Sequence, residues 1–272
     1  MNFPELRERV RRIERPVETL HGILPFGIAA IDRALPGGGL ARGALHEILG
    51  AGGDEEDGAI PAAFAAHILG RLGTGPHPTP PPWTRGREGP AQREAGVVLW
   101  CLPPRPDLYG PGLEAHGLDP GRVVLVRASR DAEILWAMEE GLRAPGIVAV
   151  VGEVGSLPMV ASRRLQLAAE RSGTTSFLLR RWRESGQAAR ERALPNAAVT
   201  RWRITALPSR PSRGEPGVGD PWWRVELLRC RGGEPACWEM EVPDATDHVS
   251  LAAALADRPA APLAPEKLRR AG

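Results

Sequence analysis

Lysine is almost missing from this chain: of 35 basic residues only Lys267, near the C-terminus, is not arginine. Genomic base composition accounts for that bias without functional selection, but it excludes any chemistry that needs a lysine in the body of the protein. Long apolar runs are missing too. No stretch of 18 uncharged apolar residues occurs, and the first residues, Met1-Asn2-Phe3-Pro4-Glu5-Leu6-Arg7, lack the charged-then-apolar order of a secretory leader. These two absences predict a cytoplasmic protein with no membrane partner. Cysteine is scarce, at three residues. Cys230 and Cys237 flank a turn as a metal pair would, but no second pair accompanies them, so they are read as thiols in or beside strands and no metal or other cofactor is expected.

Against these absences stand 32 glycines and 28 prolines, which punctuate the sequence strongly. With 272 residues, the chain can bury one large core. Charge is uneven. Between Arg163 and Arg213, twelve arginines face three glutamates and no aspartate, a local charge of +9 in a chain whose formal total is +2. Such an asymmetry predicts an anionic partner for the C-terminal half.

The N-terminal segment, 1–20, contains Leu6, Val10 and Ile13 at i, i+4 and i+7, an apolar stripe on a basic helix ended by Pro16. It reads equally as a packed element or as a docking arm for a partner. The core is expected over 21–243, interrupted by a proline-rich surface insertion at 73–95 that can join neither a ladder nor a helix. Within the core the order is a strand at 44–49, a glycine-rich turn, and a buried helix at 61–72. Strands at 97–101, 123–126, 147–152 and 176–179 then alternate with helices at 113–118, 131–143 and 161–171. This alternation predicts a mainly parallel sheet with helices on both faces. Three later alternating runs, 199–205, 222–228 and 237–242, predict antiparallel strands closing one edge. Trp202, Trp223 and Trp238 lie on these runs and are read as core more readily than as stacking platforms. The tail, 244–272, is predicted to be flexible, with one helix at 249–256 whose Val249, Leu251 and Leu255 could meet a partner.

The turn after the first strand has the outline of a phosphate-binding loop. Gly50 opens it, and Gly53 and Gly58 keep the glycine spacing of G-x-x-x-x-G-K-[ST]. Ala59 and Ile60, however, stand where lysine and a hydroxyl residue are required, and four carboxylates, Asp54 to Asp57, would repel a polyphosphate. The strand at 147–152 ends in Gly152, where a Mg²⁺-orienting aspartate would be needed; Glu153 is one residue out of phase. The chain is therefore read as not an ATPase and as not an enzyme. After the 176–179 strand come Arg180, Arg181, Trp182 and Arg183, then Arg190 and Arg192. Basic residues interleaved with an aromatic are the composition of a surface for single-stranded DNA, the alternative being a solvated basic loop.

The ordered set Leu24–Gly27, Ala34-Leu35-Pro36-Gly37-Gly38-Gly39-Leu40 and Gly43-Ala44-Leu45-His46-Glu47, leading into the altered loop, resembles the start of a RecA core. Together with Pro104-Arg105-Pro106-Asp107-Leu108-Tyr109, Gly117-Leu118 and Arg201-Trp202-Arg203, it is similar to the ImuA family of damage-inducible mutagenesis proteins over nearly all of residues 20–243. That resemblance implies an α/β, RecA-like fold. It also implies a non-catalytic role in translesion synthesis during the SOS response, beside ImuB (an inactive Y-family polymerase) and an error-prone C-family polymerase. RecA and single-stranded DNA are further candidate partners. A RecA-like cell-division inhibitor of the SulA type, which binds FtsZ, is the alternative.

Overall fold

Leu45–Gly50 is buried at every position, as only a strand covered on both faces can be, and the architecture is arranged around it. The computed structural model describes residues 20–52, 57–72, 96–104, 108–182, 185–210, 219–242 and 251–254. In chain order the elements are β1 (Ile23–Leu24), α1 (Ala29–Ala34), β2 (Leu40–Ala41), β3 (Leu45–Gly50), α2 (Ala59–Gly70), β4 (Val97–Leu102), α3 (Gly110–Ala115), β5 (Val123–Arg127), α4 (Asp131–Arg143), β6 (Ile147–Val154), α5 (Met159–Ser172), β7 (Thr175–Arg180), α6 (Ser185–Ala193), β8 (Thr200–Arg210), β9 (Asp220–Cys230), β10 (Ala236–Glu241) and β11 (Leu251–Ala254). The basic stripe of Leu6, Val10 and Ile13, the insertion at 73–95, and Gly53, Arg183, Val249 and Leu255 lie outside the described residues.

β1 and β2 form a small antiparallel ribbon, and the other nine strands form one sheet in the order β11-β10-β9-β8-β3-β7-β6-β4-β5. From β8 across to β5 every neighbouring pair is parallel. From β8 outward to β11 every neighbouring pair is antiparallel. This is the mainly parallel α/β sheet that the alternation predicted, with antiparallel strands at one edge, and it is consistent with the RecA-like core that the resemblance implied. Pro208 falls where the β8–β9 register shifts, between Leu207 and Arg210, consistent with a residue that has no N–H to give the ladder.

Strand alternation sends Ile48, Trp100, Phe177 and Trp202 to one face, where they meet Phe26 from the segment before α1, Ile31 of α1, and Phe64 and Ile68 of α2. Phe64 is the hub, with ring centroids 5.2 Å from Phe26, 5.8 Å from Trp202 and 6.2 Å from Trp223. Trp202, Trp223 and Trp238 are thus core residues. The other face carries Leu45, Cys101, Val150 and Leu178 under Ile134, Met138 and Leu142 of α4 and Leu165 of α5. Cys230 is buried in β9, whereas Cys237 on β10 lies opposite Glu226 rather than Cys230. Burial pushes the Cys230 thiol up to about 11.

Two elements differ from expectation. The segment after Trp182, read as an irregular basic loop, contains α6. The tail helix expected at 249–256 is instead β11 over Leu251–Ala254, paired antiparallel with β10. Alanine favours helix by only tenths of a kcal/mol per residue, and the open ladder of β10 offers main-chain partners that a short isolated helix lacks. Among the described residues no helix is long and apolar enough to cross a membrane.

A buried hydrogen-bond relay locks β3 to β8. Trp202 Nε1 donates to Thr200 Oγ1 (2.8 Å); that hydroxyl lies 2.8 Å from His46 Nδ1, and His46 Nε2 lies 2.9 Å from the Ala41 carbonyl. The Thr200 hydroxyl can donate only if Nδ1 is the accepting nitrogen, which puts the imidazole proton on Nε2. Burial lowers the His46 pKa from 6.5 to about 4. Between those values the unfolded chain takes up a proton that the folded one refuses, so stability falls as pH drops. The loss amounts to roughly 3 kcal/mol once pH is below both values. Urea denaturation from pH 7 to 4 is expected to show that slope, and His46→Gln to remove this part of it.

Candidate functional site

In open parallel sheets, ligands bind beyond the carboxyl ends of the strands, where the winding direction changes. Here that place lies beyond β3, β7 and β6, under the N-terminus of α2 and beside α6. A phosphate loop would point its N–H groups inward at an anion. In this protein the loop presents carbonyls instead. Arg192 Nη2, reaching back from α6, donates to the carbonyl oxygens of Gly50 (2.9 Å), Ala51 (2.6 Å) and Gly52 (3.1 Å). The Gly52 N–H is taken by the protein's own anion, the carboxylate of Asp57 (2.5 Å). Asp57 packs so closely that a Cβ on Gly50 would come within 2.8 Å of its side chain. Burial and the neighbouring Arg203 lower the Arg192 pKa, with Asp57 opposing. Gly58, Ala59 and Ile60 begin α2, so these members of the altered motif act as helix-start residues.

A second cation lies on the α2 face of the sheet. Arg181, just past β7, donates to the Gly58 carbonyl at the start of α2 and lies 3.5 Å from Glu153 Oε2. Glu153 Oε1 accepts from Trp100 Nε1 at 2.8 Å. The expected placement of Gly152 and Glu153 is corrected here. β6 continues through Val154, and a Cβ on Gly152 would meet Met138 Sδ of α4 at 2.0 Å, on the face away from α2. Glu153 is the residue that turns toward the loop side, and it is tied to Trp100 and Arg181.

On the opposite face the same strands build a buried ionic cluster around Glu47. Its carboxylate meets Arg201 of β8, accepts from Asn196 Nδ2 at 2.7 Å, and lies 3.7 Å from Arg180 of β7. Arg180 also pairs with Glu191 of α6 at 2.7 Å and donates to the Gly155 carbonyl at 2.9 Å. Arg201 in turn donates to the carbonyls of Arg192 and Leu194, a cation where the end of α6 needs one. Trp182 Nε1 donates to Gly155 O (2.7 Å), and the indole lies 5.2 Å from the guanidinium carbons of both Arg180 and Arg192.

Most described members of the expected DNA surface are instead engaged within the fold. Arg180 and Trp182 are buried, Arg181 and Arg192 hold the loop, and only Arg190 among the described members is exposed. The +9 excess is likewise answered from across the fold. Arg164 pairs with Glu139, Arg203 with Glu226 and Arg210 with Glu239, besides Arg180, Arg181 and Arg201 above. Glu47 and Asp57 prove to be structural members of the site, although the sequence pattern marks Glu47 only as part of the strand motif and Asp57 only as one of four loop carboxylates. The signal for Glu47 was its place inside an apolar strand, since a carboxylate there must be partnered.

The fold and site define a RecA-like α/β protein whose strand-end crevice is occupied by its own arginines and carboxylates. No family model matches the sequence. Protein ImuA of Caulobacter vibrioides, from strains NA1000 / CB15N and ATCC 19089 / CIP 103742 / CB 15, is 37% identical over 235 residues, covering 86% of this chain and 88% of the relative. The chain belongs to the ImuA family.

Three substitutions test this site. Glu47→Gln leaves Arg201 without its counter-charge and Arg180 with Glu191 alone, and is expected to cost about 3–5 kcal/mol in urea denaturation, whereas Arg190→Ala costs under about 0.5 kcal/mol. Gly152→Asp, which supplies the carboxylate that a nucleotide motif would carry there, drives a charge against Met138. It is expected to lower the thermal midpoint and to create no Mg²⁺ binding measurable by calorimetry.

Proposed function

We propose that the protein is a non-catalytic accessory factor of the SOS mutagenesis system, supporting translesion DNA synthesis. In this reading it holds an ImuB-like inactive Y-family polymerase, and an error-prone C-family polymerase does the copying. The observation that carries the placement is the 37% identity to ImuA across 86% of the chain. The non-catalytic part rests on the crevice. To seat a triphosphate, Arg192 would have to leave three carbonyls and Arg181 would have to leave Glu153, and Asp57 would still face the phosphates. RecA is the further partner in this reading, met by the stripe of Leu6, Val10 and Ile13. The C-terminal segment from 244 is assigned to the polymerase. Direct contact with single-stranded DNA is not assigned to the segment after β7, because most of its cations already have internal partners.

Co-purification of the tagged chain with the ImuB-like polymerase of the same source tests the placement. Full-length protein is expected to retain the polymerase and a chain lacking 244–272 to lose it. Retention by the truncated chain overturns the assignment of the segment, and failure of the intact chain overturns the function. Calorimetric titration with Mg²⁺-ATP is expected to give no binding below the millimolar range; tight, Mg²⁺-dependent binding overturns the non-catalytic reading.

A further inference from the structure

Three of the largest apolar side chains left in solvent lie on the face formed by α4 and α5. They are Trp136 (62% exposed), Val160 (70%) and Leu167 (51%). The two helices both follow parallel strands and return alongside each other, with Asp131 Oδ2 accepting from Ser156 N at 2.7 Å at one end and Arg164 bonded to Glu139 at 2.5 Å further along. Trp136 lies one turn before Glu139, and Val160 one turn before Arg164. The two are therefore level, with Trp136 on the flank of α4 that turns toward α5. Leu167 continues the line two turns on from Val160, at i+7. The core beneath is complete without them, because α4 buries Ile134, Met138 and Leu142 and α5 buries Leu165 and Ala169.

Charge on this face is left net positive: exposed Glu170 of α5 accepts from Gln166 Nε2 without an ionic partner among the described residues, against two arginines. Arg143 and Arg164 are neutralised by Glu139 and Glu140. Arg163 and Arg171, which flank the apolar line on the exposed side of α5, have no ionic partner among the described residues. We infer that this face is a docking site for an amphipathic helix of a partner protein whose apolar stripe is flanked by acidic residues. An exposed tryptophan beside aliphatic side chains a turn or two away offers anchors for i, i+3, i+4 and i+7 positions, and two uncompensated arginines set the sign of the partner. Nucleic acid fits less well, since Val160 and Leu167 offer no stacking plane and Glu139 and Glu140 stand beside Trp136. This site is separate from the two terminal segments assigned above.

The test uses the full chain and a fluorescein-labelled synthetic helix with leucines at i, i+3, i+4 and i+7 flanked by glutamates, read by anisotropy. The same helix with lysines for the glutamates is the control. The acidic helix is expected to bind and the basic one not. Arg163→Glu/Arg171→Glu is expected to weaken binding by about tenfold or more, as is Trp136→Ala. Both changes are at exposed positions, so an unchanged circular dichroism spectrum and thermal midpoint accompany them. Equal binding of both helices, no binding of the acidic helix, or indifference to the arginine reversals overturns the inference. Self-association in sedimentation that Trp136→Ala abolishes assigns the face to a second copy instead. Binding of a single-stranded oligonucleotide that the arginine reversals abolish assigns it to nucleic acid.

Discussion

A carboxylate in the middle of a buried strand must be answered, and the answer to Glu47 organises the carboxyl end of this sheet. Glu47 lies on β3, while its counter-charges come from the strands on either side, Arg180 of β7 and Arg201 of β8. The cluster therefore clamps the three central strands in register from one point. Both arginines then reach outward, Arg180 to Glu191 and Arg201 to the last carbonyls of α6, which seats that helix against the sheet. Once α6 is seated, its Arg192 falls within reach of Gly50, Ala51 and Gly52. The shape of the loop follows from a pairing made one layer below it. Surface pairs such as Arg143–Glu140 contribute at most about 1 kcal/mol each, whereas removing one partner of a buried cluster costs several, so the Glu47 cluster decides this geometry.

Most of the fold was legible because most of it is periodic. The apolar runs behind β4, β6 and β7 and the helix over Asp131–Arg143 carry their period within a short window, and the sheet order follows from their alternation with helices. What was not legible depends on partners distant in sequence. α6 has little apolar periodicity of its own and is held by Arg180, Arg201 and Trp182 from flanking elements. β11 is alanine-rich and exists as a strand through β10. The face of Glu153 could be judged only once the strand was known to run past Gly152 to Val154, with Met138 pressed against the glycine.

The same limit applies to charge. Counted along the chain, residues 163–213 look like a cationic surface seeking an anion. In space, the anions are supplied by Glu47 from the first central strand, Glu139 from α4, Glu153 from β6, and Glu226 and Glu239 from the antiparallel edge. A parallel sheet brings strand ends together from positions over 150 residues apart, so a local sum of charges measures composition and not field. Arg163 and Arg171, which have no ionic partner among the described residues, are not among the arginines that the sequence pattern marked.

A RecA-like sheet with its crevice filled from within still has a use for its geometry. In a nucleotide-driven protein the loop and the strand ends must stay responsive to the ligand, which keeps that edge of the sheet at the low end of local stability. Here the cations and anions that would come and go with a nucleotide and its metal are covalently part of the chain, as Arg192, Arg181, Asp57 and Glu153. These internal pairs tie the loop and the strand ends to α2 and α6. In the accessory role proposed above, partners are met by surfaces outside the crevice and not through a nucleotide held within it.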